Sequence, residues 1–179
     1  HTPTRRQRQM CIRDRCENGF PNVEEAAEEM LSITIKDMVT KKYISWATRE
    51  FEAPDDVEAR IFWTENELLE NFLKWWTENT PDILTGWNVN LYDVPYIARR
   101  VNRVLGEKWM KSLSPWNRAN EREVYVQGRK NYAYDLSGIN ILDYLDLYRK
   151  FTYSNQESYR LDHIAVSYTH LTLPTSRSV

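Results

Sequence analysis

The 179-residue sequence predicts a single domain of the mixed α/β class. Some segments alternate apolar and polar residues with the period of a strand, and others repeat apolar residues with the period of a helix. Their order is three strands, helix, strand, helix, strand, helix. Because consecutive strands and strand–helix alternation both occur, we expect a sheet with antiparallel and parallel pairs, flanked by helices.

Three strands are predicted before the first helix. Residues 31–37 alternate apolar and polar side chains in the manner of a half-buried strand, and residues 42–47 and 59–63 are predicted as two more strands. An acidic loop that contains proline, residues 52–58, separates the second strand from the third.

The first helix has clear start and stop signals. Thr64 and Glu67 have the spacing of a capping box, and Pro81 ends the helix because proline cannot continue it. Between them, apolar side chains recur on one helical face. They are Leu68, Leu69, Phe72, Leu73 and Trp76.

A short strand and a second helix follow. Residues 82–86 are an apolar run typical of a buried parallel strand. Asp93 is a suitable N-cap for a helix over residues 93–105, Pro95 is tolerated in its first turn, and Gly106 is a C-cap candidate.

The last third predicts a hairpin and a final strand–helix unit. Residues 124–126 and 132–134 flank a tip at 127–130 that contains Arg129 and Lys130. Residues 139–143 are typical of a strand that leads into a helix ending at Lys150.

Charge and composition exclude several classes of protein. The net charge is −2, but residues 1–15 carry +4 and residues 166–179 carry +1, so the middle carries −7. Such an acidic body does not bind nucleic acid through its overall charge, although a local groove could. No run of 18 to 20 apolar residues or signal peptide is present, so we expect no membrane partner and a cytoplasmic location.

The cysteines and histidines do not form a recognisable metal motif. Cys11 and Cys16 make no C-x-x-C pair, and His1, His163 and His170 are scattered. A metal site in this sequence would therefore have to be built from carboxylates.

The two ends differ from the middle. Residues 1–15 have neither helical nor strand periodicity, and residues 166–179 are a Ser/Thr-rich tract. A basic arm and a polar tail are the simple interpretations, but both ends also resemble translated sequencing-adaptor DNA. We therefore predict non-native segments at 1–15 and 166–179 around a natural segment at 16–165.

The segment PDILTGWNVNLYDVPYIARR, residues 81–100, contains Gly86, Trp87 and Asn88 and then, five residues after the asparagine, Asp93. It resembles the second exonuclease motif of family B DNA polymerases, in the version found in the T-even phages. Residues 138–151 and 158–164 resemble the next block of the same domain, and residues 17–21 resemble the stretch just after the family's first motif. The resemblance covers about residues 16–165.

This resemblance implies a ribonuclease-H-like (DnaQ-like) fold and 3′–5′ proofreading during DNA replication. The implied chemistry is phosphodiester hydrolysis by two Mg²⁺ or Mn²⁺ ions at single-stranded 3′ ends. The family's carboxylates are an Asp-x-Glu on the first strand, the Asp of the second motif and a later Tyr-x3-Asp. The corresponding catalytic, metal-binding residue here is Asp93, and Trp87, Asn88 and Tyr92 are candidate substrate contacts.

Before Glu17, where the family has Asp-x-Glu, the sequence contains Asp14-Arg-Cys16, and no Tyr-x3-Asp follows Ile164. We therefore expect an inactive fragment that holds no stable metal. We also expect it to lack its first central strand and to be prone to aggregation through unpaired strand edges. Implied partners are the DNA primer–template, the rest of the polymerase and a sliding clamp, in an infected bacterial cell. The alternatives are a stand-alone DnaQ-like exonuclease and a non-catalytic nucleic-acid-binding module.

Simpler roles remain open for the same residues. Asp93 taken alone would be a helix N-cap, and Trp87 and Tyr92 would pack in the core. Asp143 and Asp146 are expected at a strand end and on a helix surface. The cluster of basic residues in and after the second helix favours a solvated face over a contact with DNA phosphates. Its members are Arg99, Arg100, Arg103, Lys108 and Lys111.

Overall fold

A computed structural model of the chain describes residues 7–14, 22–126, 128–152, 156, 158–161 and 163–165. The strands are β1 (Gln7–Asp14), β2 (Met30–Asp37), β3 (Tyr43–Ala47), β4 (Val57–Ile61), β5 (Ile83–Gly86), β6 (Ala119–Val126), β7 (Arg129–Leu136) and β8 (Asn140–Asp143). The helices are α1 (Glu65–Glu78), α2 (Asp93–Leu105), α3 (Glu107–Lys111) and α4 (Tyr144–Phe151). The predicted tail at 166–179, residues 1–6 and 15 of the predicted segment at 1–15, and residues 17–21 lie outside the described residues.

Six strands form a mixed sheet in the order β4-β3-β2-β1-β5-β8. β2 pairs antiparallel with β1 and with β3, whereas the β3–β4, β1–β5 and β5–β8 pairs are parallel. Helix α4 packs against β5 and β8, and α1 and α2 contact β3 and β1 respectively. The mixed α/β class predicted from the sequence is therefore confirmed.

The expected loss of the first central strand is wrong. β1 lies between β2 and β5 and pairs with both, from Arg8 to Asp14 on one side and from Gln7 to Gln9 on the other. Without it, β2 and β5 would each expose a row of unpaired N–H and C=O groups. Filling this slot satisfies both edges, which removes the physical reason to expect aggregation through them.

Arg8 gives this central strand an unusual core residue. Its side chain is only 6% exposed, forms an ion pair with Asp37 and lies over the Trp75 ring at 5.5 Å. Its Nε atom has no hydrogen-bond partner among the described residues. Burying a charged group with an unsatisfied donor is unfavourable, so the Arg8 side chain costs stability at this position of β1.

The main core lies between the sheet and helix α1. The predicted apolar face of α1 is buried, and the Phe72 and Trp46 rings meet edge to face at 5.3 Å. The indole N–H of Trp76 donates to the carbonyl of Leu113 at 2.8 Å. Thr64 caps α1 by accepting from the Glu67 N–H, while the Glu67 carboxylate accepts from Trp63 rather than completing the box with Thr64.

The arginines of α2 hold the segment that precedes β2. Arg100 forms a buried ion pair with Glu65 at 2.6 Å and donates to the carbonyls of Ala26 and Ala27. Hydrogen bonding to Glu65 raises the pKa of Arg100 against the lowering effect of burial. The Arg100 guanidinium is buried and bonded within the protein, so the expectation of a solvated face is wrong for Arg100. Similar bonds to backbone carbonyls come from Arg99 to Val23, Arg103 to Glu25 and Tyr96 to Glu28.

Two elements are longer or additional compared with the prediction. The hairpin of β6 and β7 extends over eight residues on each strand and forms its own two-stranded sheet against α2. Helix α3 directly follows α2, because Gly106 has φ of +94° and redirects the chain between them. Within the described part of the chain, no helix has the length and apolarity needed to cross a membrane.

Replacing Arg8 with methionine is predicted to stabilise the chain. Methionine fills a similar volume without a buried charge, and Asp37 keeps the N–H groups of Val39 and Thr40 as donors. We expect the free energy of unfolding to rise by about 1–2 kcal/mol, which urea denaturation followed by circular dichroism would measure.

Arg60→Met is the matched control. Arg60 also pairs with a carboxylate and lies over Trp46, but its side chain is 30% exposed. Its replacement should change the free energy of unfolding by less than about 1 kcal/mol. A lower urea midpoint for Arg8→Met would contradict the interpretation that the buried Arg8 side chain costs stability.

Candidate functional site

The candidate site is the loop that leaves β5 at the carboxyl ends of the parallel strands. In open α/β sheets, this edge is where ligands commonly bind. Gly86 ends β5, and a Cβ atom there would lie 2.9 Å from the Cβ of Val89 and 3.0 Å from the carbonyl oxygen of Met10. The loop therefore folds back on β5 and β1 so closely that only glycine fits.

Asp143 fastens this loop to the neighbouring strand. Its Oδ1 accepts from the N–H of Asn88 and its Oδ2 from the N–H of Asn90, both at 2.9 Å. Oδ1 also accepts from the N–H of Leu145 at 2.9 Å, which makes Asp143 the N-cap of α4. The expected place of Asp143 at a strand end is confirmed, and so is that of Asp146 on the exposed surface of α4.

The rest of the loop is held by its own backbone. Asn88 has φ of +61°, a left-handed conformation that asparagine tolerates better than most residues. The Asn88 carbonyl accepts a hydrogen bond from the N–H of Tyr92 at 3.0 Å. The Val89 carbonyl accepts one from the N–H of Val94 at 3.0 Å. These two backbone hydrogen bonds thus connect Asn88 and Val89 to the start of α2.

Asp93 is the first residue of α2 and is only 6% exposed. The predicted role of Asp93 as N-cap is wrong, since Tyr92 occupies that position and makes no side-chain capping bond. A carboxylate in the first turn is still favourable, because the unpaired N–H groups of a helix start carry partial positive charge.

Trp87 anchors the loop on its other side. Its indole N–H donates to the carbonyl of Tyr159 at 3.2 Å, and its ring lies 5.8 Å from the Tyr148 ring. Tyr148 meets Tyr159 edge to face at 6.3 Å, and the Arg149 guanidinium lies over Tyr159 at 4.8 Å. Trp87 is half-buried, so it packs within the protein and leaves part of its surface accessible.

Tyr92 is the other aromatic side chain in the loop. It is half-buried and its ring stacks on that of Tyr96 at 6.1 Å and 19°. Tyr96 is fully buried and donates its hydroxyl to the carbonyl of Glu28. The stack gives Tyr92 a rigid support, while part of its own ring remains accessible to solvent.

The described residues do not fit a two-metal site. Among them, no group of three histidine, cysteine, aspartate or glutamate side chains is placed to hold an ion. Both oxygens of Asp143 are used by backbone donors, so this described carboxylate is not available to share a cation with Asp93. β1 contains one carboxylate in its sequence, Asp14.

The basic tip of the β6–β7 hairpin is partly neutralised by its own strands. Lys130 pairs with Glu123 at 2.6 Å and lies over the Tyr132 ring at 5.1 Å. The hydrogen bond to Glu123 is the main reason that the pKa of Lys130 is raised. The Arg99 guanidinium similarly pairs with Glu121 and lies over Tyr132 at 4.6 Å.

Gly86→Ala is predicted to destabilise the chain and to displace the loop. The added methyl group meets a Cβ atom and a backbone oxygen, neither of which can move without shifting β1 or the loop. We expect a loss of about 2 kcal/mol in the free energy of unfolding, together with changed amide chemical shifts over residues 87–93.

Gly128→Ala at the hairpin tip serves as the control. Nothing lies within 4 Å of its added Cβ, and only its φ of +75° is unfavourable for alanine. It should cost about 1 kcal/mol and leave the amide shifts of residues 87–93 unchanged. Equal effects of the two substitutions would argue against close packing at Gly86.

Comparison with known proteins identifies the family of this site. The sequence model described as DNA polymerase family B, exonuclease domain, matches residues 8–164. That match begins within the segment 1–15, whose non-native origin stays a prediction.

Similar proteins include two phage polymerases. The chain is 39% identical over 174 residues to a DNA-directed DNA polymerase of Escherichia phage RB69, covering 83% of this chain and 19% of that protein. It is 36% identical over 118 residues to a DNA-directed DNA polymerase of Enterobacteria phage T4, covering 64% and 13% respectively. The chain thus spans a fifth or less of the length of these relatives, and it belongs to the exonuclease domain of the family B DNA polymerases.

Proposed function

We propose that this chain is the substrate-contacting part of a 3′–5′ proofreading exonuclease, acting within a phage DNA polymerase on single-stranded 3′ ends. The observation that carries the proposal is the loop of residues 87–92, which is rigidly held at the carboxyl edge of the sheet and ends at Asp93. A binding site requires such preorganisation, because ordering a loop on binding would reduce affinity.

Each loop residue has a proposed role in contact with DNA. Asn88 presents its side chain from a fixed backbone and binds the substrate strand by hydrogen bonds. Tyr92, supported by Tyr96, stacks on a base, and the accessible part of Trp87 lies against the same strand. Stacking tolerates any base, as a proofreading site requires.

Asp93 is the proposed catalytic carboxylate of the complete enzyme. There it would serve as one ligand of a divalent-metal site for Mg²⁺ or Mn²⁺, whose chemistry is the hydrolysis of a phosphodiester bond. The described residues of this chain do not complete that donor set, so we assign no catalytic step to it alone. By itself, the chain is expected to bind and orient the DNA end.

The partners follow from the same assignment. The relatives are DNA polymerases of which this chain matches only a fifth or less, which favours a polymerase domain over a stand-alone exonuclease. We propose the remaining polymerase chain and the primer–template as partners, a sliding clamp as a further one, and the cytoplasm of an infected bacterium as the place of action.

The isolated chain is predicted not to hydrolyse DNA. A 5′-labelled single-stranded oligonucleotide incubated with the chain and Mg²⁺ or Mn²⁺ should give no ladder above background, because the described residues form no group of carboxylates that could hold two ions. Asp93→Ala should give the same background. A metal-dependent ladder that Asp93→Ala removes would contradict this prediction and would indicate a complete site.

Tyr92→Leu is predicted to weaken binding of single-stranded DNA. Loss of one stacked base should raise the dissociation constant about tenfold for a fluorescein-labelled oligothymidylate, measured by anisotropy at low salt. Tyr125→Leu is the control, since Tyr125 is 71% exposed on β6 and has no proposed role. Equal affinities of both variants and the unmodified chain for the oligothymidylate would contradict the stacking role of Tyr92.

A further inference from the structure

We propose that Asp143 is the positioning residue of the candidate site, fixing the Asn88–Asp93 loop through its two carboxylate oxygens. The function of that loop rests on the proposed function above, whereas the clamp itself rests on geometry. Asp143 is assigned neither as a metal ligand nor as a contact of the substrate. It acts by holding the backbone from which Asn88 and Asp93 project.

The topology of the sheet brings Asp143 to the loop. β5 and β8 are parallel neighbours, and Gly86 at the end of β5 is in register with Asp143 at the end of β8. The chain turns away from β5 directly after Gly86, so the first loop amides face the side chain at the end of the adjacent strand. Asp143 is only 6% exposed there, which keeps water from competing for its oxygens.

A carboxylate is the side chain that this geometry requires. Three backbone N–H groups, from Asn88, Asn90 and Leu145, converge on it at 2.9 Å each. Converging backbone amides form an anion-binding concavity, and the helix start at α4 adds further positive potential. Asparagine has one acceptor oxygen instead of two, and serine has too short a side chain to reach from the cap position to the loop.

The clamp reaches Asp93 through the backbone of the loop. The N–H of Asn88 donates to Asp143, and the carbonyl of Asn88 accepts from the N–H of Tyr92. The carbonyl of Val89 accepts from the N–H of Val94. These bonds span the residues on either side of Asp93, so a displaced Asn88 would displace the first turn of α2. The position of the proposed catalytic carboxylate is thus coupled to a residue 50 positions later in the chain.

Helix capping alone does not account for this arrangement. An N-cap needs only the bond to Leu145, for which serine is as suitable as aspartate. The other two bonds go to a different element and contribute nothing to α4. Variants that keep the cap and remove the bridge therefore separate the two roles.

The experiment compares Asp143→Asn and Asp143→Ser with the unmodified chain by amide hydrogen exchange in NMR. In Asp143→Asn, the single oxygen serves Asn88 and Leu145, so protection should fall about tenfold at Asn90. In Asp143→Ser, protection should fall about tenfold at both Asn88 and Asn90 while Leu145 keeps its protection. This pattern is specific to the loop and would not follow from a general loss of stability.

Thr64→Ala is the matched control, because it removes the N-cap bond of α1 to Glu67 and leaves the loop untouched. It should lower the urea midpoint without changing the relative protection of Asn88 and Asn90. Unchanged protection at both amides in Asp143→Ser, or the same change in Thr64→Ala, would overturn the clamp.

A second readout tests the link to function separately. Affinity for a labelled oligothymidylate should fall about fivefold or more in Asp143→Ser and stay unchanged in Thr64→Ala, at a temperature where all variants are folded. Reduced loop protection with unchanged DNA affinity would leave the clamp intact and count against the proposed function. Reduced affinity with unchanged protection would overturn the clamp and leave the proposed function standing.

Discussion

The parallel pairing of β5 with β8 is the constraint on which the candidate site depends. It places the end of one strand, Gly86, beside the end of the other, Asp143, and so brings a buried carboxylate next to a turning backbone. The three N–H groups that meet there would be unsatisfied without it. Fold and site are therefore coupled through one side chain, since the same carboxylate starts α4 and orders the loop.

Filling the central strand position and supplying the site chemistry are separate requirements. β1 fills the slot between β2 and β5 because any extended segment can offer backbone N–H and C=O groups to both neighbours. Metal-assisted chemistry needs particular side chains at particular places, and Asp14 is the single carboxylate in the β1 sequence. The buried Arg8 illustrates the same distinction, because it is accommodated in the sheet without full hydrogen bonding.

Much of the fold could be predicted from local sequence patterns. The apolar face of α1 and the alternation of β2 identify their elements, since burial on one face imposes a period on the sequence. β1 could not be recognised in this way, because its pairing depends on two strands that come later in the chain. The motif makes Asn88 and Asp93 candidate site residues, but a pattern in one segment carries no information on which distant side chain holds that segment.

Contacts that the sequence patterns do not show account for the other differences. Arg100 belongs to a basic stretch in the sequence, yet its guanidinium is buried against Glu65, 35 residues earlier. Asp93 has the character of an N-cap, yet the Asn88–Tyr92 turn makes Tyr92 the cap and Asp93 the first helical residue. In the first case a tertiary contact, and in the second a local turn of the loop, decides between alternatives that the sequence leaves open.

One carboxylate, that of Asp143, directly binds two amides of the loop. Scalar couplings across hydrogen bonds can be detected by NMR between an amide nitrogen and the carbon of its acceptor group. In the ¹³C,¹⁵N-labelled chain, correlations from the amides of Asn88 and Asn90 to the Asp143 carboxylate carbon are expected, together with a third from Leu145. A correlation from Leu145 without those from Asn88 and Asn90 would reduce Asp143 to a helix cap and contradict the clamp.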